Sequence, residues 1–485
     1  MLKDKDLLCC DSYVKGKWVK GNKTFSITNP YDGKKIIDVS SVGKEKAKEA
    51  IDAAQEAFGL WKNISAKERG HLLRKWGDSI TTHREDLATL ITYESGKPYE
   101  QSMHELMGNE GFFNWYASEA QRLHGFTPLS PDPNRRFMTI KQPVGVVGVI
   151  TPWNFPSVIP IQKCLPALAA GCTVVLKPAE DTPLSALALA KLADRVAIPP
   201  GVFNVITCHD PSEVGEELTH NPLVRKVTFT GSTEIGKKIL NMCSSTVKNV
   251  TMELGGNCPA VIFDDADIDK AIQSTFWFKF YNAGQCCNNI NRFFIHKKIY
   301  DPFIKKFQHM MKKHLCLGNG MHPSTSMGPL INKQGVSKCE ELVKDALEKG
   351  AKALIGGTIS TKGALFYEPT LLTNMNSTMR IYHEEVFGPV APIYSFSTEK
   401  EAIKMANDTH YGLAAYVFSE NIGRIYRVAE SFEAGSVGIN TTDVVSELLP
   451  FGGWKESGIG RENSLIGSMD AYCENKSIII AGMCK

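Results

Sequence analysis

Val144-Gly-Val-Val-Gly-Val-Ile150 runs directly into Thr151-Pro-Trp-Asn-Phe-Pro156. A β-branched run with no polar alternation, closed by a proline-bounded turn, predicts a strand buried on both faces. A helix is expected over Ile159–Ala170, then a second strand, Thr173–Leu176, ending in Lys177-Pro-Ala-Glu180. Thr182 as N-cap and Pro183 in the first turn open another helix. Further strands follow at Val202–Ile206 and Arg225–Phe229. Strands alternating with helices predict a parallel sheet covered by helices. The last strand feeds Thr230-Gly-Ser-Thr-Glu-Ile-Gly236 and a helix expected from Lys237 to Met242. Glycines at such a turn leave N–H groups free to meet a phosphate. The spacing is neither the dinucleotide glycine fingerprint nor a P-loop.

Upstream, Trp18-Val19 and Phe25–Ile27 read as short strands. Ala47, Ala50, Ile51, Ala54, Ala57 and Phe58 recur at helical spacing. Ser65 and Glu68 form a capping box for the next helix. Helices are expected over Arg84–Tyr93 and Met103–Leu123, the aromatics of the latter (Phe112, Phe113, Trp115, Tyr116) serving packing. Pro, Ser and Asp concentrate in Phe126–Asn134 and mark a boundary. Downstream the alternation restarts with a strand at Pro259–Phe263, a helix at Ile268–Phe280 and a strand at Arg292–Ile295, so a second α/β domain is expected.

The chain has 485 residues, room for two or three domains, with 43% hydrophobic and 22% charged residues. A net charge of +3 points to neither nucleic acid nor membrane as partner. No apolar run reaches the roughly 18 residues of a membrane span. The opening, Met1 to Cys10, is neither a secretory signal nor a transit peptide, so a cytoplasmic location is expected. Thirteen scattered cysteines read as reduced thiols. Cys9-Cys10 and Cys286-Cys287 lack C-x-x-C spacing, so no metal is expected.

Two stretches carry chemistry. Phe280-Tyr-Asn-Ala-Gly-Gln-Cys-Cys-Asn-Asn-Ile-Asn-Arg292 sets a thiol behind a small-residue turn, and Thr251-Met-Glu-Leu-Gly-Gly256 offers a carboxylate beside two glycines. A thiol and a carboxylate are the minimum kit for forming a thioester and then hydrolysing it.

Together these segments closely resemble the aldehyde dehydrogenase superfamily from about Phe25 to Ile478. The motifs are P-W-N-F-P (152–156), K-P-A-E (177–180), F-T-G-S-T-E-I-G (229–236), E-L-G-G (253–256), G-Q-C-C (284–287), E-E-V-F-G-P (384–389) and P-F-G-G (450–453). N-P-L-V-R-K (221–226), F-D-D-A-D-I-D-K-A (263–271), A-N-D-T (406–409), G-L-A-A-Y (412–416) and G-I-N-T (438–441) are most similar to the succinate-semialdehyde dehydrogenase subfamily.

The resemblance implies a Rossmann-type NAD domain (1–122 and 142–252), an α/β catalytic domain (253–450) and a small β oligomerisation arm (123–141 and 467–485). It implies Cys287 as nucleophile and Cys286 as filler. Asn154 and the Cys287 N–H would be oxyanion donors, Glu253 the base that activates water, and Lys163 with Glu474 a proton relay. Trp153, Lys177, Glu180, Gly231, Ser232, Leu254, Glu385 and Phe387 would line the cofactor, and Phe155, Gln162, Tyr281, Ser446 and Phe451 the substrate. An aldehyde would be oxidised with NAD(P), succinate semialdehyde first among candidates, by a homodimer or homotetramer. Glu180 near a 2′-phosphate would cost roughly 3 kcal/mol per charge at 5 Å and an effective dielectric near 20. Because Glu can swing away, this is a preference for NAD over NADP rather than an exclusion. The subfamily grips its carboxylate with two arginines and a serine, and while Ser446 occupies the serine position, Gln162 and Tyr281 occupy those of the arginines. An uncharged aldehyde is therefore the alternative. Glu253 argues against a CoA-acylating enzyme, and intact Cys287, Glu253 and Asn154 argue against a non-catalytic homologue.

Overall fold

The computed structural model describes residues 2–464 and 468–482. Its first sheet has a parallel core. In space the strands run Phe203–Val205, Thr173–Lys177, Val146–Ile150, Val224–Thr230, Asn249–Glu253. The strand first in sequence lies centrally, and the chain winds out to one side and then to the other. This doubly wound order leaves a crevice between Val146–Ile150 and Val224–Thr230, at their carboxyl ends. Alternate residues serve opposite faces: Val147 and Val149 pack into one buried cluster, Val146 and Ile150 into another. Each fully buried side chain of this kind stabilises the fold by about 1.5–3 kcal/mol.

Ser12–Val14 and Lys17–Val19 extend one edge of this sheet antiparallel. Gly458–Ile459 closes the other, with Gly458 opposite Glu253 and Ile459 opposite Met252. That return strand brings the chain from Phe451 to Glu462 over the end of Asn249–Glu253.

Leu254–Asn257 joins the first sheet to a second. There Cys258–Ile262 is flanked in parallel by Ile290–His296 and Ala414–Phe418, with Val390–Phe396, Thr370–Thr373 and Ser436–Ile439 outside them. Glu253 ends a strand of the first sheet, and Cys287 precedes a strand of the second. The Phe280–Arg292 stretch therefore faces the first sheet's carboxyl ends.

Arg135–Pro143 and Cys473–Ala481 form a separate two-stranded antiparallel ribbon. Of the expected arm, Gly467 and residues 483–485 lie outside the described residues.

Several expectations shift. The Met103–Leu123 helix is two helices, Tyr99–Met107 and Asn109–Glu119, divided at Gly108, with Phe112, Phe113 and Tyr116 in the core as expected. The helix expected from Lys237 begins at Thr233, because Ser232 caps it by accepting the Ile235 N–H (3.4 Å). Thr182 does not cap Pro183–Arg195 through its side chain. The buried Glu94 carboxylate does so instead, accepting the N–H groups of Leu184 (2.7 Å) and Ser185 (2.9 Å). Burial pushes Glu94 up to about 8.

Candidate active site

The thiol turn is built by backbone that few residues adopt. Asn282, Ala283 and Gly284 all have positive φ (50°, 54° and 79°), a left-handed run that reverses the chain ahead of Gln285. Gly284 is obligatory there, since a Cβ would lie 2.2 Å from the Gly388 carbonyl oxygen. Asn282 Nδ2 donates to the Gln285 carbonyl (3.2 Å), and Gln285 Nε2 donates to the Asn282 carbonyl (3.0 Å), closing the turn on itself.

Cys287 emerges half-buried at the wall of a cleft. The neighbouring Cys286 thiol, then burial, hold its thiol well above the usual cysteine range. The Cys286 sulfur hydrogen-bonds Asn288 Oδ1 (2.9 Å). A protonated Cys287 needs a base to become a nucleophile.

Glu253 is 3% exposed, and neither carboxylate oxygen has a hydrogen-bond partner. Burial, then the charge of Glu462, raise its pKa well above the carboxylate range, while Lys163 and Arg461 oppose the shift. Cys287 adds to the raising, so the thiol and the carboxyl share one electrostatic field. Close glycine packing brings the two segments together: a Cβ on Gly256 would lie 2.5 Å from the Cys287 carbonyl, and one on Gly452 would lie 2.9 Å from Glu253 Oε1.

Lys163 does not pair with Glu474. Its Nζ makes a buried ion pair with Glu462 and donates to Thr228 Oγ1 (3.1 Å). Glu474 sits exposed on the ribbon opposite Gln142. Phe451 and Glu462 pair across a short return loop, and the Lys163 that Glu462 meets lies 299 positions away, a contact that no local spacing announces.

Asn154 is buried, with Nδ2 donating to the Gln285 carbonyl (3.1 Å) and Oδ1 unpartnered. An amide has two N–H donors, so the second remains for an oxyanion.

The cleft, about 250 Å³, opens at the switch point of the first sheet. Its walls include Trp153, Asn154, Gly231, Ser232, Leu254, Cys287, Glu385 and Phe387. Trp153 and Phe387 meet edge to face (5.5 Å between ring centroids). Glu385 accepts the Gly256 N–H (3.0 Å), and burial raises its pKa. Lys177 and Glu180 pair at 3.0 Å, at the end of the neighbouring strand. A helix N-terminus at Thr233 with its backbone N–H groups and two aromatic rings are features a dinucleotide can use, and the cleft carries both.

None of the five expected substrate residues is among these cleft walls. Phe155 stacks on Tyr281 (6.0 Å, 15°), and the Tyr281 hydroxyl donates to the Gln101 carbonyl (3.1 Å). Gln162 is half-buried on the Val158–Ala170 helix. Ser446 Oγ accepts the Leu448 N–H (3.2 Å), and Phe451 packs on the same apolar cluster as Cys287.

A thiol on the cleft wall and a buried, unpartnered carboxylate one residue before the cleft-lining Leu254 accord with the match of residues 18–478 to the aldehyde dehydrogenase family model. The chain belongs to the aldehyde dehydrogenase family. Members oxidise aldehydes to carboxylic acids with NAD(P), and this dehydrogenase is an oxidoreductase of that kind. It is 45% identical over 481 residues to succinate-semialdehyde dehydrogenase (NADP(+)) of Escherichia coli K12, covering 99% of both chains. It is also 45% identical over 484 residues to 3-sulfolactaldehyde dehydrogenase of Pseudomonas putida, again covering 99% of both. The solved succinate-semialdehyde dehydrogenase of Burkholderia pseudomallei superimposes with a TM-score of 0.97 at 44% identity, over 99% of each chain. No helix among the described residues is long and apolar enough to cross a membrane.

Proposed function

We propose that Cys287 carries the acyl group and Glu253 activates the water that releases it. The supporting observation is a buried carboxylate without hydrogen-bond partners, electrostatically coupled to the thiol. The Cys287 thiolate adds to the aldehyde carbon, and the Glu253 carboxylate is kept for the later water. The second Asn154 N–H and the Cys287 N–H hold the resulting oxyanion, each donor contributing about 3–4 kcal/mol. NAD(P) held in this cleft would supply the hydride acceptor. The Cys287 thioester remains, and Glu253 removes a proton from water as it attacks. Glu462 and Lys163 tune Glu253 through charge. Trp153, Phe387, Leu254 and Glu385 would hold the nicotinamide half, Gly231 and Ser232 the phosphates, and Lys177 and Glu180 the adenosine ribose, with NAD preferred. Cys287→Ser should abolish NADH formation while Cys286→Ala retains it. Equal loss in both variants would misassign the nucleophile.

The substrate we propose is succinate semialdehyde, as the named relatives suggest. A second reading, an uncharged aldehyde, is favoured by Gln162 and by a Tyr281 hydroxyl already committed to the Gln101 carbonyl. Comparing kcat/KM for succinate semialdehyde and an uncharged aldehyde of equal length separates them. The ribbon exposes Met138, Ile479 and Ile480, with Phe126 and Leu129 exposed on the chain entering it. A two-stranded ribbon is marginal alone, so we assign it to association into a homodimer or homotetramer. Light scattering that returned a monomer would end that assignment. Free thiols at all twelve described cysteines suit a reducing, cytoplasmic setting.

A further inference from the structure

We propose that the buried Lys97–Glu105 ion pair is a positioning device for the Asn154 amide, on the turn that packs against the Cys287 turn. The inference rests on Asn154 being an oxyanion donor. The pair lies outside the catalytic set, on a stretch where the sequence shows no chemistry. The Arg84–Ser95 helix ends at Gly96 in the left-handed region (φ 77°), which sends Lys97 straight into the interior. Both side chains are fully buried, and their charged atoms are 2.7 Å apart.

Each member also grips backbone of the turn. Lys97 Nζ donates to the Asn154 carbonyl (2.8 Å) and lies over the Phe155 ring (4.3 Å). Its three donor directions are thereby used by carboxylate, carbonyl and ring face. Glu105 Oε2 takes Lys97, and Oε1 accepts the N–H groups of Ser157 (2.9 Å) and Val158 (3.1 Å). The two ends of Asn154–Val158 are thus pinned by one ion pair.

The same short helix, Tyr99–Met107, reaches the thiol turn four residues earlier. Gln101 Oε1 accepts the Asn282 N–H (2.8 Å), and the Gln101 carbonyl accepts the Tyr281 hydroxyl (3.1 Å). Asn282 Nδ2 then donates to the Asn154 carbonyl (3.0 Å), the oxygen Lys97 already holds. Gln101 and Glu105, one helical turn apart on one face, fix the two turns against each other.

The arrangement has a cost that packing alone does not require. Apolar residues of similar volume usually replace a buried ion pair without loss, whereas removing one partner strands a charge. Here both charges end on the backbone that orients the Asn154 amide. A misplacement of about 1 Å at such a group can lower turnover roughly 100-fold.

The test uses the full-length enzyme with Glu105→Gln, Lys97→Met, Lys97→Arg, Asn154→Ala and the Glu105→Gln/Asn154→Ala double variant. Turnover, KM, NAD affinity by fluorescence and thermal melting are measured for each. Asn154→Ala should lower kcat about 100–1000-fold. Glu105→Gln and Lys97→Met should each lower it about 10–100-fold, with NAD affinity and KM within about threefold and partial recovery in Lys97→Arg. In the Asn154→Ala background, Glu105→Gln should lower kcat by less than about threefold, because it acts through the missing amide. Native kcat in Glu105→Gln and Lys97→Met, beside a defective Asn154→Ala, overturns the positioning role. So do fully multiplicative losses in the double variant, which would mean general weakening. Native kcat in Asn154→Ala overturns the oxyanion assignment instead. Should Lys97→Met not fold, Glu105→Gln, nearly isosteric, and Lys97→Arg decide.

Discussion

Replacing Glu253 with glutamine separates the two halves of the reaction. Neither carboxylate oxygen has a hydrogen-bond partner, so the substitution breaks no ground-state hydrogen bond and its effect falls on proton transfer. Removing a positioned general base lowers the affected step about 100–10,000-fold, or roughly 3–5 kcal/mol of barrier. If hydrolysis of the thioester depends on Glu253, rapid mixing with aldehyde and NAD should give a burst approaching one NADH per site, followed by steady-state turnover reduced by that factor. Stability supplies an independent readout. Glu253 has a raised folded pKa, so the folded state binds the extra proton and stability declines as pH rises from the unfolded carboxylate value through the folded one. Glutamine cannot ionise, so the melting temperature of the variant should gain on the native enzyme as pH rises above the ordinary carboxylate range, on the order of a few degrees. Native steady-state turnover, or melting curves that stay parallel across pH, would refute the reasoning.

Three further outcomes are expected. Glu462→Gln removes the charge that raises Glu253, so the acid limb of the hydrolysis pH–rate profile should move to lower pH, with a stability loss of about 3–5 kcal/mol from the stranded Lys163. Glu180→Ser removes the carboxylate beside Lys177, and the NADP-to-NAD ratio of kcat/KM should rise about tenfold, within the roughly 3 kcal/mol repulsion available. Gln162→Arg and Tyr281→Arg should each raise kcat/KM for succinate semialdehyde about tenfold or more relative to an uncharged aldehyde. Unchanged ratios would place those two positions away from the substrate.

What the sequence discloses here depends on how far each interaction reaches along the chain. Ile268–Phe280 is readable to the residue because its cap is local: Asp267 accepts the N–H groups of Asp269 and Lys270 (both 3.1 Å). Val146–Ile150 is readable because burial on both faces leaves only apolar residues. The cap of Pro183–Arg195 is not, since Thr182 satisfies every local rule while Glu94 takes the role from about 90 residues away. Lys163 finds Glu462 across 299 positions, and motif position alone pointed to Glu474. Cys287 and Glu253 stand out through their flanking glycines, whereas Lys97 and Glu105 lie in ordinary helix-end sequence and become visible only when their partners are in place.

The contact between Gly284 and Gly388 couples two otherwise separate segments. One precedes the sulfur, and the other follows Glu385 and Phe387 on the cleft wall. They touch main chain to main chain, so neither can shift by rotating a side chain. A single methyl group at position 284 would meet the Gly388 carbonyl at 2.2 Å, so it would pry both segments loose at once.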